Sequence, residues 1–409
     1  MFAQDTAVAP KIEARKSQGA ALVVKTNDRE VATNMAESFE VQGEVPEAKE
    51  GSHYVLSLDD GGKAKVTVAD GKSGYMEMVA KPGVLMEIFA DKIEQMRGMA
   101  QGMGTVALQQ TGMKTKDAVK LIQAIFDFPK QIDSFELKLA ANPEHAKQDG
   151  MDLDMHMSAV AGSGFAEFMT AMQPNGQGVP QLTSGGMMNM ALSLDGKGVA
   201  KAMMPLMGFL LPMLGKTEVD MKNAATIMEK SINLIDGAMA MEFSDDGMRM
   251  IASITDAKAY TDLMASPEYK AFTKMSSPVG DTEVTEKAFE HRSVSVTKSV
   301  LKPKEGSELP PNPLLGEGPV ETYAAVAGNY MLVSMGGAKE GGIKGLIDQA
   351  LDQKLKRAPL SNNALMTMDI NMTKFAEKMG GNAGEDAPDK LSMVLGRTPT
   401  GLSIKIHAK

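Results

Sequence analysis

The stretch that most restricts the fold of this chain is 224–264. Two alternating segments, Ala238-Met239-Ala240-Met241-Glu242-Phe243 and Met248-Arg249-Met250-Ile251-Ala252-Ser253-Ile254, flank Ser244-Asp245-Asp246-Gly247. Alternation with period two sends successive side chains to opposite faces, and Asp-Gly between two such runs is a strong hairpin signal. An amphipathic run from Ala224 to Ile235 precedes the hairpin, and another from Ala257 to Met264 follows it. Helix, hairpin, helix is the unit expected here.

Similar units recur. Ala20–Thr26 reads as a strand, and Asn27-Asp28 caps a helix from Arg29 to Ser38. A first module type runs from strand 53–58 through a turn at 59–62 to strand 63–69, a second turn, strand 75–80 and a helix at 83–99. Its second copy is 320–334, again opening a strand on Tyr-Met, with a helix at 343–355. A second type is strand, helical stretch, hairpin. Its copies are 105–157 (strand 105–110, helix 116–128, hairpin 135–157), 188–254, and 365–406. The order predicts an α+β fold, internally duplicated, with antiparallel sheets of hairpins and helices packed on one face. The expected divisions are a disordered tail at 1–19, a first half at 20–173, an additional module at 188–280 and a second half at 293–409. Gly- and Pro-rich breaks at 174–186 and 303–319 separate them.

Composition narrows the function classes. A net charge of −9 and a pI near 5.3 argue against a nucleic-acid partner, which needs a basic surface. No window reaches the roughly 18 apolar residues of a membrane span. With no cysteine there are no disulfides, thiolate metal sites or cysteine nucleophiles. There are 36 Met and no Trp, so flexible thioethers fill gaps that aromatic rings fill elsewhere. Residues 2–10 (Phe-Ala-Gln-Asp-Thr-Ala-Val-Ala-Pro) resemble the end of a cleaved export signal, so a periplasmic or extracellular location is expected.

The stretch Val-Ala-Gly-Asn-Tyr-Met-Leu-Val-Ser at 326–334, its following helix and the cleaved-looking start resemble uncharacterised exported bacterial proteins with repeated hairpin-helix units. The resemblance implies a fold and an address, with no activity attached.

Three constellations of side chains bear on function. Met151, Leu153, Met155 and Met157 share one strand face, as do Met239 with Met241, Met248 with Met250, and Met366 with Met368. Such faces either pack against helices, form an adaptable apolar pocket, or offer soft ligands to Cu(I). Packing is the expectation, with Met155, Met157, Met239 and Met241 buried. Asp152, Asp154 and His156 also share a face, but steps of about 7 Å are too wide for one ion, so a solvated face is expected. The third constellation is Val199–Leu214, apolar all round and broken by Pro205 and Pro212. It is a buried helix pair within the core, a mobile apolar flap over a ligand groove, or a patch docking on a membrane or partner, and Met203, Met207, Phe209, Leu210 and Met213 are its candidate ligand contacts.

Enzyme signatures fail. Gly336–Ile343 lacks the Lys-Ser/Thr ending of a phosphate loop, and the two S-x-x-K matches at 295–302 have no companion motifs. The expected function is therefore a non-catalytic exported protein binding an apolar small molecule or lipid in a Met-rich groove, with no metal and no cofactor. A structural or protein-interaction component of the cell envelope, with an envelope protein as partner, is the first alternative. An enzyme whose site is invisible in sequence is the second.

Overall fold

A computed structural model describes residues 20–41, 43–71, 76–106, 115–141, 151–176, 178–182, 186–196, 198, 218–275, 280–303, 320–336, 339–360, 364–381 and 388–408. The tail 1–19 and the whole of 199–214 lie outside them, and with the latter Met203, Met207, Phe209, Leu210 and Met213.

The strands are β1 (Ala20–Thr26), β2 (Ser52–Asp59), β3 (Ala64–Asp70), β4 (Met76–Ala80), β5 (Ile132–Ala141), β6 (Met151–Ala159), β7 (Val179–Pro180), β8 (Met188–Ser193) and β9 (Ile235–Ser244). They continue as β10 (Gly247–Ile254), β11 (Gly280–His291), β12 (Val294–Pro303), β13 (Val320–Ala327), β14 (Tyr330–Met335), β15 (Arg357–Ala358), β16 (Ala364–Asn371), β17 (Lys390–Arg397) and β18 (Gly401–Ala408). The helices are α1 (Arg29–Ser38), α2 (Pro82–Ile88), α3 (Ala90–Met99), α4 (Thr115–Asp127), α5 (Gly164–Ala171), α6 (Glu218–Leu234), α7 (Ala257–Ala265), α8 (Pro267–Met275), α9 (Lys339–Leu351) and α10 (Met372–Lys378). The fold is α+β.

Among the described residues sixteen strands form one antiparallel sheet in the order β11-β12-β13-β14-β10-β9-β8-β16-β17-β18-β6-β5-β4-β1-β2-β3, and β7 pairs with β15 in a separate ribbon. The sheet runs through all three segments separated by the Gly- and Pro-rich breaks. Four times the chain lays down a strand, then helix, then a hairpin whose first strand pairs with the initial strand: β1-β2-β3, β4-β5-β6, β8-β9-β10 and β16-β17-β18. The Asp245-Asp246 turn joins β9 to β10 as expected, and the Asp28 carboxylate accepts from the Glu30 and Val31 amides to cap α1.

The long duplication of 20–173 in 293–409 is not shown. Its first module type does not repeat in topology, because β3 and β4 are separated by β1 and β2 whereas β13 and β14 pair directly. The strand expected at 105–110 is also corrected where it is described. Thr105 has helical backbone (φ −62°, ψ −41°), continuing the run from α3 through a π-helical turn at Ala100–Gly104, and Thr105 is buried in the same helical layer as Ala118 and Ile122 of α4. The single helix expected at 83–99 is two, broken at Phe89.

Cross-strand register explains the methionines. Met250, Met241, Met190, Met368 and Met393 stand directly opposite one another across β10, β9, β8, β16 and β17, and the row continues through Ile406, Leu153 and Leu139. Opposed residues of antiparallel strands share a face. These side chains are half-buried, as are Met155, Met157 and Met239, so the expectation of full burial is corrected. The buried residues of β9 are the alternate ones, Ala238, Ala240 and Glu242, on the strand against which the β7–β15 ribbon packs. Small side chains permit that close approach.

Helices also cover both faces of the sheet, one at each end. Leu22, Val24, Leu56 and Leu58 lie on the methionine face and form a core with Met35, Leu85 and Phe89 from the α1–α3 segment. Ile251, Ala325 and Leu332 lie on the opposite face and take Ile343, Leu346 and Ile347 of α9.

Candidate apolar groove on the second unit

Pro82 opens α2 at a position where its missing N–H costs nothing. Phe89 ends that helix at φ −100°, ψ 22° and α3 resumes at once, with the Ile93 amide donating to the Phe89 carbonyl. From Pro82 one series of apolar residues falls at 82, 86, 89, 93, 96, 100 and 103, steps of four and three, with Val84, Leu85, Ile88, Ala90 and Met99 apolar beside it. On a helix this spacing makes one narrow stripe.

The stripe meets Pro129 of the following 3₁₀ turn to form a groove of about 450 Å³, lined by Pro82, Leu85, Met86, Phe89, Lys92, Ile93, Met96 and Pro129. Its lining is apolar apart from the Lys92 head. Neither α2, α3 nor the π-helical turn buries a residue. Met96, Met99 and Met103 are 48%, 50% and 72% exposed, and Val106, Ile125 and Phe128 of the same helical layer are exposed as well.

Two polar ties hold this layer. The Arg97 guanidinium donates to Asp127 at 3.2 Å, and Lys130 reaches the same carboxylate oxygen at 3.2 Å. Gly104 lets the turn approach α4, since a Cβ there would lie 3.2 Å from Ile122 Cδ1.

A second cavity, about 700 Å³, lies where α9 ends, lined by Asp236, Thr255, Asn329, Tyr330, Gln353 and Arg357 among others. Its charges answer each other: Arg357 donates to Asp236 at 3.1 Å and to Ser253, and lies 5.8 Å from the centre of the Tyr330 ring. Asp236 in turn accepts from the Ala238 amide at 3.0 Å. This network fixes the start of β9 beside β8, where Gly237, at φ +85°, passes so close to the Leu194 carbonyl that no Cβ fits.

The Asp152, Asp154 and His156 side chains do not converge. Asp152 pairs with His407 at 2.8 Å and His156 with Thr398 at 3.0 Å. Among the described residues no group of three metal-ligating side chains occurs.

The candidate contacts at 203–213 cannot be placed beside either cavity, being outside the described residues. The groove at 82–96 was missed in the sequence reading, where 83–99 was only a helix after a hairpin. Its signal was present in the four-three spacing and in Met96-Arg97-Gly98-Met99-Ala100-Gln101-Gly102-Met103-Gly104, where no core residue alternates with the methionines. Compared with known protein families, curated proteins and solved structures, the chain matches none.

Proposed function

We propose that this chain is a non-catalytic binding protein that takes an apolar ligand along the α2–α3 groove. The observation that carries the reading is an open apolar groove ending on exposed Met96, with Met99 and Met103 exposed further along the same helical run. Covering the exposed part of one such side chain, about half to three quarters of it, is worth on the order of 1–2 kcal/mol, so water favours an occupant there. Methionine suits the role, because its unbranched thioether re-packs around partners of different shape. Export, expected from residues 2–10, fits a carrier working outside the cytoplasm.

Assembly through sheet edges is less well supported. The outer strand β11 carries Asp281, Glu283, Glu286, Lys287 and Glu290, with a register shift between Thr285 and Phe289. Charges and bulges on an edge oppose strand addition. Titration of the full chain with Nile red tests the ligand reading. Saturable uptake that is lost in Ile93→Asp, at an unchanged melting midpoint, is expected. Absence of uptake by the unaltered chain, or full uptake by the variant, removes it.

A further inference from the structure

Lys92 stands on the rim of the α2–α3 groove, its ammonium 5.9 Å from the centre of the Phe89 ring. The neighbouring cations are engaged: Arg97 with Glu94 and Asp127, and Lys130 with Asp127. Among the described residues Lys92 makes no ion pair with a carboxylate, and it is the one charged residue of the lining. At 100° per residue, Lys92 falls on the shoulder of the stripe formed by Phe89, Ile93 and Met96. Asp91 and Glu94 fall on the far side and are exposed.

An apolar trough with a single cation at its lip is complementary to an amphiphile with one tail and one negative charge. The lysine stem can lie along the tail while its head stays wet. A doubly charged phosphate would call for a cluster of arginines, and none lines the groove. A membrane surface is the poorer fit, since anionic lipid repels a chain of net charge −9.

We propose that the groove receives a free long-chain carboxylate, its tail along Leu85, Met86, Phe89, Ile93 and Met96 and its headgroup on the Lys92 ammonium. This rests on the apolar-ligand reading above and adds the headgroup to it.

Fluorescence titration of the full chain with cis-parinaric acid and with its methyl ester tests the assignment. The acid should bind the unaltered chain more tightly than the ester. Lys92→Gln should weaken the acid about three- to tenfold, the range of a partly solvated ion pair, and leave the ester unchanged. Lys92→Arg should restore the acid's advantage, and added salt should shrink it. Equal binding of acid and ester by the unaltered chain, or an equal loss of both in Lys92→Gln, overturns the headgroup while the groove reading survives. If neither probe binds, both proposals fall. Cosedimentation with phosphatidylglycerol vesicles that palmitate does not compete away also overturns the inference, in favour of a membrane surface.

Discussion

Arg97, in the last turn of α3, donates to Asp127 at the end of α4 across 3.2 Å and packs its guanidinium 5.7 Å from the centre of the Phe126 ring. Because α3 buries no residue, this side chain is the polar tie between α3 and α4. Arg97→Gln should therefore speed amide hydrogen exchange across 90–104 while lowering global stability by less than about 1 kcal/mol, as for a solvent-screened pair. An equal rise in exchange throughout the sheet would show that the tie is not local.

A buried pair should behave differently. Glu242 is 2% exposed and accepts from Arg249, its cross-strand neighbour on β10. Arg249→Met leaves that carboxylate buried without its partner and should cost about 3–5 kcal/mol in urea denaturation. Replacing both by Met should recover most of the loss. A double variant as unstable as the single one would show that the pair itself supplies the stability.

Half-burial of the methionine row lowers its expected contribution. Met241→Ala should cost about 1–2 kcal/mol, below the roughly 2–5 kcal/mol of a full cavity. Leu332→Ala, at a side chain with no exposed surface, should reach that full range. Matching midpoint shifts for the two variants would contradict the difference in burial.

How far the sequence was legible follows from which interactions are local. The 238–254 hairpin, the Asp28 cap and the closing hairpin β17–β18 are specified by turn and cap chemistry within a few residues, and each was readable. Neighbours across the sheet were not. Nothing near Met190 says that it lies between Met241 and Met368, because that register is set by packing among segments far apart in the chain. For the same reason, alternation at Ala238–Phe243 showed two faces without showing which would be covered. The groove escaped because a four-three apolar stripe ordinarily means a buried seam, and here it is open. The apolar stretch 199–214, the strongest lead in the sequence, lies outside the described residues.

Stability should fall at both extremes of pH, for different groups. Burial, and secondarily Tyr269, raises the Tyr260 phenol above its ordinary value, and Tyr260 donates to the Met331 sulfur at 2.7 Å. The fold thus favours the neutral phenol, so its contribution is complete below about pH 10 and is lost as the pH rises beyond. Tyr260→Phe should flatten the alkaline limb. On the acid side, the hydrogen bond from His291, supported by Arg292, holds Asp348 below the usual carboxylate range, and Arg292 with Lys354 does the same for Asp352. Their contribution is present above about pH 4 and lost as the pH falls. Thermal melts from pH 3 to 11 read both limbs, and a flat profile above pH 10 would contradict the Tyr260 assignment.

Gly401 begins β18 opposite Ser158, and a Cβ there would sit 1.8 Å from the Met157 carbonyl oxygen. Gly401→Ala should push β18 off β6 and cost about 3 kcal/mol, the upper end for overpacking. Protection of the β6 and β18 amides should drop first. Wild-type protection in the variant would show that the strands yield without separating.

The same junction sets an order of assembly. Strands β16–β18 lie between β8 and β6, joining Gly401 to Ser158 on one side and Met368 to Met190 on the other. Contacts so distant in sequence form slowly, because a long loop must close before they are gained. Until they form, a chain with 20–160 and 188–336 already folded exposes two bare strand edges, β6 and β8. β8, Met188-Asn189-Met190-Ala191-Leu192-Ser193, carries neither charge nor proline to discourage a stranger. During that interval the edge is equally open to the β8 of another molecule, so the yield of native protein depends on concentration as well as on sequence.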